Sequence, residues 1–378
     1  MTPGPAEEFI LSTLRSELSP HTPGRAEWNS IYESAQAHGL AALLYERLKS
    51  SAPDEFLAPF RTAYFLSLTR NQFLFDEFVD LARLFEIQRL PIVALKGLAV
   101  GPSLYDSRAL RPLHDLDLLI RPEHIPGAQE ILRARDFSTE AELAPGYRAR
   151  YQIDLSFTRL TPFPHNVELH WRLFRSRYAE LKTQMEWFWA HTEETEISRY
   201  SARVFQPTAQ FLHLAGHAAL GHRGERWLWL YDIARLVEKR GAALDWDELV
   251  RKGNEFGLMR ALQTTCAALR ELFGTPIPPE IAQRVSGARV STLERINFAF
   301  ANAPDDQARV IGDGLIELVM EHHTGIWRAH LFPGRAFLGE RYGAGNPFAR
   351  ARFVLQRSSY LLTRAPRFLW RLLRRTKK

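Results

Sequence analysis

Four short strand-like segments interrupt a chain whose other stretches show helical spacing. Residues 91–95 form a short apolar run, and residues 114–120 and 150–158 alternate between polar and apolar side chains. Residues 166–171 form the fourth segment. Strands this short need partners in a shared sheet to bury their apolar faces. The pattern therefore predicts an α+β fold in which a small mixed sheet is flanked by N-terminal and C-terminal helical regions.

Helical spacing of apolar residues covers much of the remaining chain. Residues 61–89 carry apolar side chains at intervals of three or four, with no internal proline or glycine, which predicts one long helix. Shorter helices are expected at 98–105 and 126–135. After Pro207 the helical pattern returns, and it predicts helices at 208–222, 227–240, 246–256 and 259–273.

The composition is that of an ordinary folded protein of 378 residues, with 46% hydrophobic and 24% charged residues. Cys266 is the single cysteine, so no internal disulfide framework forms, no disulfide-linked partner is expected, and a reducing compartment is favoured. The first residues lack the basic stretch and apolar run of a secretory signal. No apolar segment has the roughly 20 residues needed to span a bilayer. We therefore expect a cytoplasmic protein.

The positive charge is concentrated at the carboxyl end. Ten Lys or Arg residues lie between Arg350 and Lys378, and subtracting them from the net charge of +6 leaves −4 for the rest of the chain. The tail also carries leucine, phenylalanine and tryptophan, and Pro366 divides it in two. Such a basic amphipathic segment can contact an anionic membrane surface peripherally, bind RNA phosphates, or dock against the body of the protein.

The most informative polar residues lie within the second strand segment. Asp115 and Asp117 are two residues apart on a strand, so both carboxylates point to the same face. Two adjacent carboxylates repel each other unless a positive charge lies between them. Mg²⁺ or Mn²⁺ supplies such a charge and binds carboxylates together with substrate phosphates. On its own this pattern is also compatible with a solvated strand face.

Further charged residues lie around this pair in the sequence. Lys96 and Gly97 follow the first strand, where a glycine and a helix start can admit phosphate close to the backbone. Lys96 and Arg111 add positive charge, although either can equally be a solvated surface residue. Glu168 lies between apolar neighbours on the fourth strand, and an acid there is costly to bury unless it is used or paired.

Together these segments resemble the uncharacterised nucleotidyltransferase family, within the DNA-polymerase-beta-like nucleotidyltransferase superfamily. The resemblance rests on the sequences VALKGLAVGPSLYDSRALRPLHDLDLLI and NVELHWRLF, and more loosely on AQAHGLAALLYERL and WLWLYDIARLV in the flanking helices. With the pattern along the chain, it predicts a nucleotidyltransferase core (90–175) between an N-terminal helical region (1–89) and a C-terminal helical region (176–345), and the charge pattern adds a basic amphipathic tail (346–378).

The resemblance also implies a site and a reaction. Asp115 and Asp117 match the paired metal ligands, and Glu168 matches the third acid, which either completes the metal site or acts as general base. Lys96, Gly97 and Arg111 are the expected nucleotide or phosphate contacts, although Lys-Gly replaces the superfamily's usual Gly-Ser or Gly-Gly. Asp154, on the polar face of the third strand, is a rival for the third acid. The implied cofactor is Mg²⁺ or Mn²⁺, with a nucleoside triphosphate such as ATP as co-substrate.

Two groups outside this constellation have alternative interpretations. His213, His217 and His222 could bind zinc, since the first two share a helix face, but packing or lining the acceptor side of a cleft, together with Asp232, is the simpler interpretation. Trp227, Trp229 and Tyr231 could stack on a base or sugar, or could belong to a core helix.

Three functions remain open at this stage. The first is metal-dependent transfer of a nucleoside monophosphate from a triphosphate to a small molecule, sugar, protein or RNA. The second is a toxin-like nucleotidyltransferase that acts on tRNA or a partner protein. The third is a non-catalytic adaptor that retains the fold. The three intact acids argue against the adaptor, and the acceptor is not identified by the sequence.

Overall fold

The computed structural model describes residues 3–17, 23–140, 146–221, 226–303 and 306–331. The predicted basic tail and His222 lie outside these ranges. The described N-terminal segment forms four helices, and the fourth is by far the longest. They are α1 (Pro5–Arg15), α2 (Arg25–His38), α3 (Ala41–Leu48) and α4 (Asp54–Ile87).

The strand-bearing part follows α4 directly. Its elements are β1 (Ile92–Ala94), α5 (Lys96–Leu104), β2 (Asp115–Ile120), α6 (Ile125–Ala134), α7 (Tyr147–Tyr151), β3 (Asp154–Arg159) and β4 (His165–His170). The four strands lie in the order β1-β2-β4-β3. Strand β2 is parallel to β4, whereas the β1–β2 and β3–β4 pairs are antiparallel. The predicted small mixed sheet is therefore confirmed.

Helices and one hairpin make up the rest of the described chain. They are α8 (Arg177–Lys182), α9 (Met185–Ala190), β5 (Thr192–Ile197), β6 (Tyr200–Phe205), α10 (Pro207–Gly216), α11 (Trp227–Arg240), α12 (Trp246–Glu255), α13 (Met259–Phe273), α14 (Pro279–Gly287), α15 (Thr292–Ala301), α16 (Asp306–Glu321) and α17 (Gly325–Leu331). A π-helical turn, His217–Gly221, extends α10. With a mixed sheet among these helices, the α+β class is also confirmed.

The two faces of the sheet differ in chemistry. On β2, the residues Leu116, Leu118 and Ile120 pack on one side with α4 and α6 in an apolar cluster. The alternate residues Asp115 and Asp117 face the other side, because successive strand side chains point in opposite directions. The same side becomes apolar further along the strand, where Leu119 joins the main core formed with α10 and α11. The acids thus lie where the sheet meets the C-terminal helices.

The structure corrects the predicted third strand. Residues 150–158 were expected to be extended, but Tyr151 ends α7 and β3 begins only at Asp154. The reason is the length of its partner: β4 ends at His170, which pairs with Asp154, so no strand is available for earlier residues. The Tyr151 ring packs against Tyr147 instead, and its hydroxyl donates to Glu317 at 2.7 Å.

The β5–β6 hairpin is an element that the sequence analysis did not predict. Its turn is Ser198-Arg199, and both residues adopt left-handed φ values, 48° and 65°. Such turns usually carry glycine, asparagine or aspartate, so the local signal for a hairpin is missing here. Within the described ranges, no helix is both long enough and apolar enough to cross a membrane.

Candidate active site

Asp117 and Glu168 lie side by side on neighbouring strands. In the parallel β2–β4 pair, Asp117 is in register with Glu168, and Leu119 is in register with His170. On the far side of β4, His170 is opposite Asp154 of β3. Side chains in register share a face of the sheet, so three strands contribute acids or imidazole to one patch. The patch opens into a cleft of about 370 Å³ that Asp115 also lines.

Asp117 is the most enclosed of these acids, with 2% of its surface exposed. Its Oδ1 accepts hydrogen bonds from Lys96 Nζ at 2.6 Å and from His170 Nε2 at 2.8 Å. Burial alone would raise the pKa of Asp117, but Lys96 and His170 outweigh it and hold the pKa well below its usual value. Asp117 is therefore a carboxylate at neutral pH.

Lys96 reaches the acids because the backbone turns sharply between β1 and α5. The N–H of Leu95 donates to the carbonyl of Asp117 at 3.0 Å, which fixes the turn beside β2. Lys96 itself has a φ of +48°, a left-handed conformation that is uncommon for a residue other than glycine. Its ammonium group also lies 3.6 Å from Oε2 of Glu168. Strained backbone of this kind is frequent at functional sites.

His170 contacts several of the acids. Besides Asp117, its Nε2 lies 3.3 Å from Oε2 of Glu168, and its Nδ1 lies 3.9 Å from Oδ2 of Asp154. Burial and the charge of Lys96 lower the pKa of His170. The hydrogen bonds to Asp117 and Glu168 raise it by a larger amount, so the pKa lies above its usual value. A ligand atom from each of Asp117, Glu168 and His170 lies within 4.8 Å of the others, a grouping that could hold a metal ion.

Asp115 begins β2 and faces the same cleft. Burial, together with the neighbouring Asp117 carboxylate, raises the pKa of Asp115 to about 7, although Lys96 acts in the opposite direction. His114, which precedes it, also lines the cleft. Burial and the charges of Arg226 and Arg70 lower the pKa of His114 to about 4, so that imidazole is neutral at physiological pH.

Asp154 is held differently from Glu168. Its Oδ2 accepts a hydrogen bond from Arg175 Nη2 at 3.1 Å. Burial raises the pKa of Asp154, but His170 and Arg175 lower it more. Asp154 thus has an arginine of its own, whereas Glu168 shares Lys96 and His170 with Asp117.

Gly97 is required by the packing of Arg111. A Cβ atom added at Gly97 would overlap Nη1 of Arg111 and would lie 2.6 Å from Cδ2 of Leu113. No real side chain tolerates such distances, so the missing Cβ makes room for the guanidinium. Both Gly97 and Arg111 line the cleft, and their contact with phosphate stays a prediction.

The Arg111 guanidinium is paired with a buried acid on α11. Its Nη2 donates to Oδ2 of Asp232 at 2.8 Å, and the hydroxyl of Tyr105 donates to Oδ1 of the same carboxylate at 2.7 Å. Asp232 is completely buried. Arg111 therefore neutralises the buried Asp232 carboxylate, and this ion pair joins the loop before β2 to the C-terminal helices.

The helical wall of the cleft comes from the π-turn after α10 and the start of α11. His217, Arg226 and Trp229 line the same cavity as the acids. The Arg226 guanidinium lies 5.9 Å from the centre of the Trp229 ring, and His217 meets the same ring edge-on at 5.7 Å. Trp227 and Tyr231, by contrast, are buried in the main core.

His213 does not join the metal-binding grouping. It is 1% exposed, its ring meets Phe205 edge-on at 5.5 Å, and its Nδ1 has no hydrogen-bond partner among the described residues. The grouping found within the described ranges consists of Asp117, Glu168 and His170, and it includes neither His213 nor His217. His213 is therefore packed inside the protein, and His217 lines the cleft.

A family model described as "uncharacterised nucleotidyltransferase" matches residues 24–274, about two thirds of the chain. The chain belongs to this family. The match spans the sheet with its acids and the helices on both sides, including Arg226 and Asp232. Membership in a nucleotidyltransferase family supports transfer of a nucleotidyl group as the class of reaction.

The other two comparisons add little to the family assignment. A comparison with curated proteins finds no match. Among solved structures, an antigenic nucleotidyltransferase-like protein from Paracoccidioides brasiliensis matches at 14% identity, with a TM-score of 0.32, over 61% of this chain and 94% of that one. At that TM-score the likeness carries no weight for the fold or the site.

His170 and Arg175 are site residues that the sequence analysis left out. The signal for His170 was present, since it follows Glu168 by two residues on the same strand and must share its face. Arg175 lies beyond the end of β4, where no periodicity indicates direction. Arg226 precedes α11, and the packing of that helix against α5 places Arg226 in the cleft.

Proposed function

We propose that the protein is a divalent-metal-dependent nucleotidyltransferase that transfers a nucleoside monophosphate from a nucleoside triphosphate to an acceptor oxygen. The observation that carries the proposal is the register of Asp117 with Glu168 on adjacent parallel strands, at the floor of a cleft that Asp115 also lines. Three acids around one cavity, with a family model that names the reaction class, support transfer chemistry better than they support an adaptor.

The residues of the cleft fit a divalent cation. Carboxylate oxygens are the ligands that Mg²⁺ and Mn²⁺ prefer, and Asp117 and Glu168 already hold the ammonium of Lys96 between them. Asp115, Asp117 and Glu168 would hold the ion. His170, which donates to Asp117 and lies close to Glu168, is better suited to orient these carboxylates, since imidazole is a poor ligand for Mg²⁺. When bound, the cation would neutralise phosphate charge.

The chain's own residues would then position the reactants. Phosphoryl transfer depends mainly on aligning the reactants and on stabilising the charge that develops on the phosphate. The fixed carboxylates and the cations of the cleft would do both. The Glu168 side chain is 19% exposed, compared with 3% for Asp117. Glu168 is therefore the acid more accessible to an acceptor hydroxyl, and it can take that proton on a carboxylate oxygen. Asp154 stays paired with Arg175 and serves to hold His170.

The test uses the full chain with Mn²⁺ or Mg²⁺ and each of the four nucleoside triphosphates. Binding is measured first, and pyrophosphate release is then followed with sugars, total RNA or the protein itself as acceptor. We expect Asp117→Ala and Glu168→Gln to lower pyrophosphate release about 100-fold or more. Asp154→Asn should cost only about 10-fold, the effect expected of a residue that orients another.

Asp106→Asn serves as the control, since Asp106 is an exposed acid paired with Lys239. The proposal fails if no triphosphate binds in the presence of metal. It also fails if Asp117→Ala releases pyrophosphate as fast as the unmodified protein.

A further inference from the structure

Among the described residues, four Lys or Arg side chains line the cleft, and carboxylates neutralise three of them. Lys96 lies 2.6 Å from Asp117, Arg111 lies 2.8 Å from Asp232, and Arg175 lies 3.1 Å from Asp154, in each case measured between a side-chain nitrogen and a carboxylate oxygen. The fourth is Arg226. Within the described ranges no carboxylate oxygen lies within 4 Å of its guanidinium, which contacts the Trp229 ring instead.

The acids of the cleft make an unpaired arginine there significant. Asp115, Asp117, Asp154 and Glu168 face the same space, and a triphosphate that enters it meets their negative charge. Charges on Lys96, Arg111 and Arg175 are already balanced by carboxylates of the protein. An additional anion therefore needs a positive charge that no carboxylate of the protein balances. Within the described ranges, Arg226 supplies such a charge in the cleft.

We infer that Arg226 binds the polyphosphate of the incoming nucleoside triphosphate, an inference that rests on the proposed function. Arginine suits this role because its planar guanidinium can donate two parallel hydrogen bonds to phosphate oxygens. The Trp229 ring lies against the guanidinium without neutralising it, since a cation–π contact leaves the N–H donors free. Lys96, Gly97 and Arg111 stay the phosphate contacts predicted from the sequence, and Arg226 adds a further contact from the helical wall of the cleft.

The experiment measures binding of tripolyphosphate, of a nucleoside triphosphate and of the corresponding nucleoside, each with Mn²⁺ present, by titration calorimetry. Arg226→Gln should weaken both phosphate-bearing ligands roughly 10- to 100-fold, the loss expected for hydrogen bonds between charged groups. Nucleoside binding should not change. Arg226→Lys should recover part of the loss, because it restores the charge but not the two-pronged geometry.

Arg121→Gln is the matched control, since Arg121 also lies over a tryptophan ring, that of Trp189 at 4.9 Å, but does not line the cleft. Thermal unfolding of each variant checks that the fold is retained. Unchanged triphosphate binding in Arg226→Gln overturns the inference, and so does an equal loss of nucleoside binding. If the unmodified protein binds no triphosphate at all, the proposed function itself fails, which is a separate result.

Discussion

The ammonium group of Lys96 lies 2.6 Å from Oδ1 of Asp117 and 3.6 Å from Oε2 of Glu168. Burial by itself lowers the pKa of Lys96, but the attraction of Asp117, Glu168 and Asp115 outweighs it and the pKa is raised. Lys96 is therefore charged and acts as the internal counter-ion of the acid cluster. It lies between Asp117 and Glu168, two of the three carboxylates that we propose as metal ligands.

Replacing Lys96 by methionine should destabilise the protein in the absence of divalent metal. The Asp117 carboxylate would keep only His170 as a partner, and loss of one member of a buried ion pair costs about 3 kcal/mol. Added Mg²⁺ should recover much of that loss, since it supplies the missing charge. Thermal unfolding in EDTA and in excess Mg²⁺ measures both effects. Lys239→Met, at an exposed ion pair with Asp106, is the control. A Lys96→Met protein as stable in EDTA as the unmodified chain would contradict this account.

Sequence patterns were sufficient for much of the sheet and for the direction of its acids. Strand alternation alone places Asp115 and Asp117 on one face, and three of the four strands were predicted within about two residues. The register of Asp117 with Glu168, by contrast, could not be predicted from the sequence. It depends on β4 inserting between β2 and β3, an arrangement that no local pattern specifies.

Partners distant in sequence were the other part that could not be predicted. The pairing of Arg111 with Asp232, 121 residues away, could not be predicted because it depends on how α11 packs against the loop before β2. The contact of Arg111 with phosphate stays a prediction. The role of Gly97 follows from the same packing. The close packing of Arg111 and Leu113 beside Gly97 could not be predicted, and its approach to phosphate stays a prediction.

The buried Arg111–Asp232 pair should contribute strongly to stability. Arg111→Met leaves the Asp232 carboxylate completely buried with the Tyr105 hydroxyl as its remaining side-chain donor, and should lower the free energy of unfolding by about 3–5 kcal/mol. Arg111→Met combined with Asp232→Leu should cost less than the sum of the single changes, because no unpaired charge remains. Urea unfolding of the three variants gives the coupling.

Arg240→Met provides the comparison, since Arg240 pairs with Glu193 at a partly exposed site where a change of at most about 1 kcal/mol is expected. Strict additivity in the Arg111 and Asp232 variants would show that the two residues contribute independently.

His213 should make the protein sensitive to acid. Burial, with smaller effects from the charges of Lys96 and His170, lowers the pKa of His213 to about 3, against 6.5 for an ordinary histidine. Above pH 6.5 the imidazole is neutral in both folded and unfolded states, and it has no effect on the pH dependence. Below pH 6.5 the unfolded chain binds a proton that the folded protein excludes, so stability falls by about 1.4 kcal/mol per pH unit. Between pH 6.5 and pH 5 this single group should cost about 2 kcal/mol.

His213→Leu should remove that component of the pH dependence and leave the rest. Urea unfolding at pH 7, 6 and 5 should show a smaller loss of stability in the variant than in the unmodified protein, by about 2 kcal/mol at pH 5. Leucine also removes the buried Nδ1 that has no hydrogen-bond partner among the described residues, so the variant should fold. Gln210→Leu, at a buried side chain of α10 that carries no titratable group and does not line the cleft, is the control and should keep the pH dependence of the unmodified protein. Equal acid sensitivity in His213→Leu and the unmodified chain would mean that His213 takes up its proton in the folded state.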